Sequence, residues 1–238
     1  MGLIACPIPG KQKSADICRA LVEGSPKNAS GLVFYGVDEM NVKHLKRARE
    51  AGTDWYYIDN SYFDCVRGQQ FRVTKCRLQV EAMAHTTDGR RFAGLGVQVK
   101  PVQLNPDGHW VLIEQSPAFM KIHGDSAWLA KTLRWAEGTG RQVRMRPWNA
   151  DKLKQQVTLA EDLRGAWALL TYSSAAGITA LIEGIPAVVE LQSAIARVRL
   201  STDSSTDDRL QAFGVLADNQ WTLDEVRGGK AWSWLNRK

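Results

Sequence analysis

The residues best suited to chemistry lie in one stretch of the second half, residues 165–190, GAWALLTYSSAAGITALIEGIPAVVE. An apolar run ends at Tyr172 and gives way to Ser173 and Ser174, small residues and Gly177. A helical pattern then continues through Leu181 to a Gly184-Ile185-Pro186 turn. The free N–H groups and positive dipole end of a helix start attract anions, and small residues let a phosphate approach the backbone. Both serine hydroxyls can donate to the same phosphate oxygens. The string equally suits an N-capped helix packed on a sheet, so spacing alone leaves both readings open. Other chemistries find less support. His44, His85, His109 and His123 lack metal-ligand spacing, no HExxH or Walker A string occurs, and Gly94-x-Gly96 lacks the helix of a dinucleotide fingerprint. Cys6, Cys18, Cys65 and Cys76 are scattered without a CxxC pair, which favours reduced packing thiols over a zinc site. Most of the nine tryptophans read as core residues.

Placing a phosphate loop after a strand requires alternating strands and helices. The sequence supplies them, and its 238 residues suffice for two small α/β domains. In the first half, Leu3–Cys6, Gly31–Val37 and Trp55–Ile58 read as strands of a parallel sheet. Ala15–Glu23 and Asn41–Ala51 read as the helices between them, the second capped by Asn41 and closed by Gly52. Phe71–Thr74, Leu78–Glu81 and Val97–Val102 are weaker strand candidates, with HTTDGRR (85–91) as an exposed loop. The turn residues of LNPDGH (104–109) put a boundary between a domain over 1–106 and one over 107–218. In the second domain Trp110–Glu114, Gln142–Met145, Trp167–Thr171 and Pro186–Glu190 read as strands. Ser126–Glu137, Ser174–Glu183 and Asp207–Leu216 read as helices. The tail, 219–238, reads as helical and is expected to pack back on the first domain.

Charge separates the halves. Residues 1–106 hold 15 Lys+Arg against 10 Asp+Glu, while the rest holds 16 against 15. Arg67, Arg72, Lys75, Arg77, Arg90 and Arg91 concentrate the excess, which suits either a polyanionic partner or a merely solvated surface. No apolar run reaches the ~18 residues of a membrane span. The opening MGLIACPIPGKQK lacks the basic start and apolar length of a secretion signal, so the expected location is cytoplasmic.

The string S-S-x-x-G-x-x-A-L-x-x-G-x-P-x-V, from Ser173 to Val188, resembles the C-domain signature of GT-B glycosyltransferases. It is most similar to the capsule-polysaccharide and Kdo-transferase type. Trp110–Gln115 resembles that family's strand-to-loop glutamine motif. Val143–Trp148 resembles its strand ending in a basic residue and Pro, although Trp148 stands where the family usually has His. YYIDNSYFDCVRGQQFRVT (56–74) is similar to its segment of an acidic residue, a small residue and Tyr. The tail resembles the closing segment of phage and capsule relatives.

The resemblance implies two Rossmann-like domains facing a crevice and transfer of a sugar from a nucleotide-sugar donor to a hydroxyl acceptor. Donor phosphate and nucleotide would meet Ser173, Ser174, Arg146, Gln115, Ser116 and Glu190, the last at the ribose diol. Asp59 would serve as general base, a role that competes with an ordinary Asx turn at a strand end. Tyr62, Arg67, Arg72, Arg77, Arg90 and Arg91 would face the acceptor. The basic half favours an anionic acceptor, with phage DNA carrying hydroxymethylated pyrimidines ahead of an envelope glycan or lipid; a phage enzyme would work in the host cytoplasm. A non-catalytic nucleic-acid or glycan binder and a sugar-nucleotide epimerase are the rival readings. No DxD string appears, so no cofactor and no obligatory metal are expected.

Overall fold

A computed structural model describes residues 2–63, 70–82, 85–123, 125–148, 157–191, 193–196 and 206–237. The chain divides into two compact units, Met1–Val80 with Asn219–Lys238, and Glu81–Asp218. Unit 1 opens with β1 (Leu3–Cys6), α1 (Gln12–Glu23), β2 (Gly31–Tyr35), α2 (Glu39–Glu50), β3 (Trp55–Asn60) and β4 (Gln70–Lys75). Unit 2 begins with α3 (Arg90–Gly94), β5 (His109–Ile113), α4 (Pro117–His123), α5 (Trp128–Gly138) and β6 (Val143–Arg146). It continues with α6 (Leu159–Leu163), β7 (Ala166–Thr171), α7 (Ala176–Ile182), β8 (Ala187–Val189) and α8 (Thr206–Asp218). The chain then returns to unit 1 as β9 (Gln220–Thr222), α9 (Leu223–Arg227) and α10 (Lys230–Leu235). Among the described residues no helix is long and apolar enough to cross a membrane.

Unit 1 is a five-stranded sheet in the order β1-β2-β3-β4-β9. The first three strands are parallel, as the alternation of strands and helices predicts, but β4 and β9 run antiparallel to their neighbours. Alternate residues of β2 and β3 face opposite sides. Val33, Tyr35, Tyr56 and Ile58 join Ile17 and Leu21 of α1 and the tail residues Trp221, Val226 and Ala231 in one core. On the other side Phe34 packs against Trp55 and stacks with His44 of α2. The cap of α2 is Asp38, which accepts from the Asn41 N–H at 2.7 Å; Asn41 itself is buried, its amide donating to Tyr35 and Gly36 carbonyls. The tail opens as a strand because Trp221 pairs with Phe71 of β4 and enters the core. Its helix begins only at the capping box of Thr222 and Glu225.

Unit 2 carries a fully parallel sheet, β6-β5-β7-β8. Buried along its whole length, β5 reads as a continuous apolar run, as a central parallel strand should. The segments 78–81 and 97–102, expected as strands, are not strands. In the second, Lys100 N–H donates to Ile182 and Gln103 N–H to Gly184, so the backbone is satisfied by the end of α7 instead of a ladder. The expected loop at 85–91 ends in α3, whose Phe92 packs on Phe213 of α8. Arg209, on α8 and fully buried, donates from Nη1 to the carbonyls of Lys100 and Leu181, both at 2.9 Å. Burial lowers its pKa, and its place at the C-terminal end of α7 suits a cation.

The Gly184 turn is the tightest junction near that helix. Its φ is +77°, and a Cβ there would stand 2.0 Å from the Pro101 carbonyl oxygen. Gly140 has a similar φ of +76° but open space around it. Gly140→Ala should cost about 1–2 kcal/mol for left-handed backbone alone, and Gly184→Ala clearly more. Equal losses in urea unfolding would refute the close approach.

Candidate functional site

Because the four strands of unit 2 run parallel, their carboxyl ends share one edge, where open α/β sheets bind ligands. Gln115 and Ser116 follow β5, Arg146 ends β6, Thr171 to Ser174 end and follow β7, and Glu190 follows β8. Hydrogen bonds join several of these residues. Gln115 Nε2 donates to Thr171 Oγ1 at 2.9 Å, and the Ser174 N–H donates to that same oxygen at 3.2 Å. Ser174 Oγ in turn accepts from the Ala176 N–H at 3.2 Å, at the first turn of α7. Ser116 Oγ accepts from the Phe119 N–H and so caps α4. Ser173 Oγ is buried and has no partner among the described residues. Gly177 lets the start of α7 close on the sheet: a Cβ there would lie 3.1 Å from Ile195 Cδ1 and 3.4 Å from Thr171 Cγ2. Arg146 stands apart from this group, its guanidinium paired with Asp162 of α6 and donating to the Val157 carbonyl.

Beside this edge lies a pocket of about 330 Å³ between α5 and the ends of β7 and β8. Trp128, Lys131, Thr132 and Trp135 of α5 form one wall, and Leu170, Val188 and Glu190 belong to the other. Trp135 is 53% exposed, so its indole is available to a ligand. Trp128 Nε1 donates to Glu190 Oε1 at 2.9 Å, and its ring meets Tyr172 edge-on. Phe119 and His123 pack on the same tyrosine. Burial, then the carboxylates of Asp125 and Glu190, raises the Tyr172 pKa, so this phenol stays neutral. Asp125 also lines the pocket, 3.8 Å from Lys131. With Lys131 offsetting Asp125, the Glu190 carboxylate leaves the pocket net negative, so a neutral, hydroxyl-bearing and partly aromatic ligand fits these walls better than a phosphate.

The α5 wall is the part of this region that the sequence motifs do not mark. Trp128, Lys131, Thr132 and Trp135 follow an i, i+3, i+4, i+7 spacing, which marks one helix face and is the signal that could have found them. As core residues the tryptophans carry no such signal: Trp128 is buried, as expected, and Trp135 is 53% exposed.

In unit 1 the carboxyl end of β3 holds a dense polar cluster. Asp59 and Arg72 are cross-strand partners on β3 and β4, bridged at 2.7 Å. The same carboxylate oxygen accepts from Tyr57 OH at 2.8 Å, and the other accepts from the Asn60 N–H. Burial and then the Asp59 charge push the Tyr57 pKa well up, which keeps it a donor. Burial opposes the Arg72 charge, but Asp59 outweighs it and holds the guanidinium protonated. Arg72 also lies over the Tyr62 ring, and Tyr62 OH donates to Gln79 while accepting from the Val80 N–H. Tyr62 and Arg72 are therefore buried and engaged inside unit 1. Next to them Lys13 and Tyr35 OH both donate to Asn60 Oδ1. Arg77 is exposed after β4. Arg90 and Arg91 lie on α3 in unit 2, with Arg90 bridged to Asp88. Arg67 lies outside the described residues. With the tail included, unit 1 holds 16 Lys+Arg against 10 Asp+Glu, and unit 2 is balanced at 15 of each.

No family model matches the sequence, and no curated protein matches it. Among solved structures the fold is similar to that of KpsC, a beta Kdo 2,4 transferase of Thermosulfurimonas dismutans. The likeness has a TM-score of 0.56 at 12% sequence identity and covers 96% of this chain and 98% of that one. The two α/β units thus have a Rossmann-like fold similar to that of this transferase.

Proposed function

We propose that this chain is a glycosyltransferase that takes a sugar from a nucleotide-sugar donor. The observation that carries the reading is the carboxyl edge of unit 2. There Gln115, Thr171 and Ser174 are linked by hydrogen bonds, and Glu190 borders a pocket of about 330 Å³. The fold likeness to KpsC supports the same class of reaction. In this scheme the acceptor oxygen attacks the anomeric carbon, the bond to the donor phosphate oxygen breaks, and the acceptor proton passes to a carboxylate. Ser174 and the backbone N–H groups at the start of α7 are the proposed donors to the leaving phosphate. Arg146, already paired with Asp162, would have to exchange that partner to take part.

Asp59 is the proposed base. Three donors already occupy its oxygens, which leaves about one of a carboxylate's four lone-pair sites for an acceptor hydroxyl. Its side chain is 27% exposed, enough for that approach. The acceptor is proposed to be anionic, because the whole net charge of the chain resides in unit 1.

A thermal-shift panel of UDP, CMP and GDP tests the donor site: a nucleotide at ~100 times its dissociation constant should add about 2.7 kcal/mol of stability. Binding of none of them would overturn the donor reading. For Asp59→Asn, turnover should fall by roughly 10²–10⁴ with donor binding unchanged. Thermal unfolding must accompany the assay, because the substitution leaves the Arg72 charge buried without its carboxylate; unaltered turnover removes Asp59 from the chemistry. Transfer should persist in EDTA, and a loss rescued by Mn²⁺ would show an obligatory metal. Offering hydroxymethylated DNA and an acidic envelope glycan or lipid side by side identifies the acceptor, and transfer to a neutral glycan alone would refute the anionic class.

A further inference from the structure

We infer that Trp128 is a positioning residue that orients Glu190 and thereby makes the unit 2 pocket select ribonucleotides over 2′-deoxyribonucleotides; this rests on the donor-site reading above. Glu190 is held at two points. Its N–H donates to the Tyr172 carbonyl at 3.2 Å, and its Oε1 accepts from Trp128 Nε1 at 2.9 Å. Trp128 is itself fixed, 5% exposed and set edge-on against Tyr172 with ring centroids 5.6 Å apart. Swinging the indole away would therefore disturb the residue that anchors the Glu190 backbone. With Oε1 engaged, Oε2 has no partner among the described residues. A carboxylate oxygen can only accept, so its ligand must bring a donor, and a sugar hydroxyl is one. The pocket around it offers the exposed Trp135 indole and the apolar Leu170 and Val188 to a flat ring, while the net negative charge left by Glu190 disfavours a phosphate there. A ribose diol carrying a base meets these demands, and a sugar lacking the 2′-hydroxyl loses a hydrogen bond to a charged acceptor.

The test measures dissociation constants of CMP, UDP and GDP and of their 2′-deoxy counterparts for the wild type, Trp128→Phe, Glu190→Ala and the double variant. The wild type should prefer the ribose form of its nucleotide roughly 10- to 100-fold. In Trp128→Phe, which keeps an aromatic ring but not the donor, that ratio should collapse towards one. In the Glu190→Ala background Trp128→Phe should leave the ratio unchanged. A packing role alone would weaken both sugar forms equally, so an undiminished ratio in Trp128→Phe overturns the inference while the donor site stands. If the wild type binds none of the three nucleotides, the donor-site reading fails and this inference with it. The Glu190→Ala comparison decides the matter even if Trp128→Phe lowers stability, because the ratio is read on folded protein.

Discussion

A single buried hydroxyl, that of Thr171, ties the carboxyl edge of unit 2 together. It is 1% exposed and accepts from Gln115 on the β5 side and from the Ser174 N–H on the α7 side. Two strand ends and a helix start are thereby fixed to one atom. Loops at strand ends are ordinarily the mobile part of an α/β sheet. Here the geometry presented to a ligand is set by the sheet itself, since Thr171 is a ladder residue paired with Ile113 and Val189. The close seating of Gly177 on Thr171 depends on the same arrangement.

The two units treat their polar strand ends differently. In unit 1 the Asp59 carboxylate is almost saturated, by Arg72, Tyr57 and its own next N–H. Such a network resists disruption, because removing one member strands a buried charge at a cost of about 3–5 kcal/mol. In unit 2 the polar groups are less fully used: Ser173 Oγ lacks a partner among the described residues, and Glu190 spends one carboxylate oxygen on Trp128. Incomplete satisfaction at a buried edge is tolerated where a ligand completes it, whereas the nearly saturated Asp59 carboxylate has room for about one more donor.

Much of this organisation was legible in the sequence, and the reasons for success and failure are physical. The WVLI of β5 is legible because buried parallel strands are continuous apolar runs, while Leu3–Cys6 is an apolar strand although it lies at the sheet edge and is only partly covered. The Ser-Ser-x-x-Gly string was placed correctly at the end of β7 because small residues after an apolar run mark a close turn. The 97–102 stretch alternates like a strand, yet it finds its partners on α7, a choice made by tertiary contacts that a local pattern does not carry. The antiparallel pairing of β4 likewise brings Asp59 to Arg72 across the ladder, a contact of residues 13 apart that composition cannot reveal. The polar residues at the strand ends stand out in the sequence, whereas the pocket-lining face of α5 does not. Trp128 serves the core and the pocket at once, and a residue with two uses looks from sequence like the commoner one.

Unit 1 is discontinuous in the chain, and this governs the order in which the protein can be made. Gln220 of β9 hydrogen-bonds Gln70 of β4 across 150 residues, and Trp221, Val226 and Ala231 supply part of the unit 1 core. During synthesis the strands β1 to β4 emerge first, with one edge of their sheet and part of one face still uncovered. Unit 2 is contiguous and has all its strands available before β9 is translated. The earlier-made half must therefore wait for the later-made one, exposing apolar surface and an unpaired strand edge for the time needed to elongate through about 140 residues. At roughly 5–20 residues per second that interval lasts on the order of ten seconds, and it is the window in which a nascent-chain chaperone would have work to do.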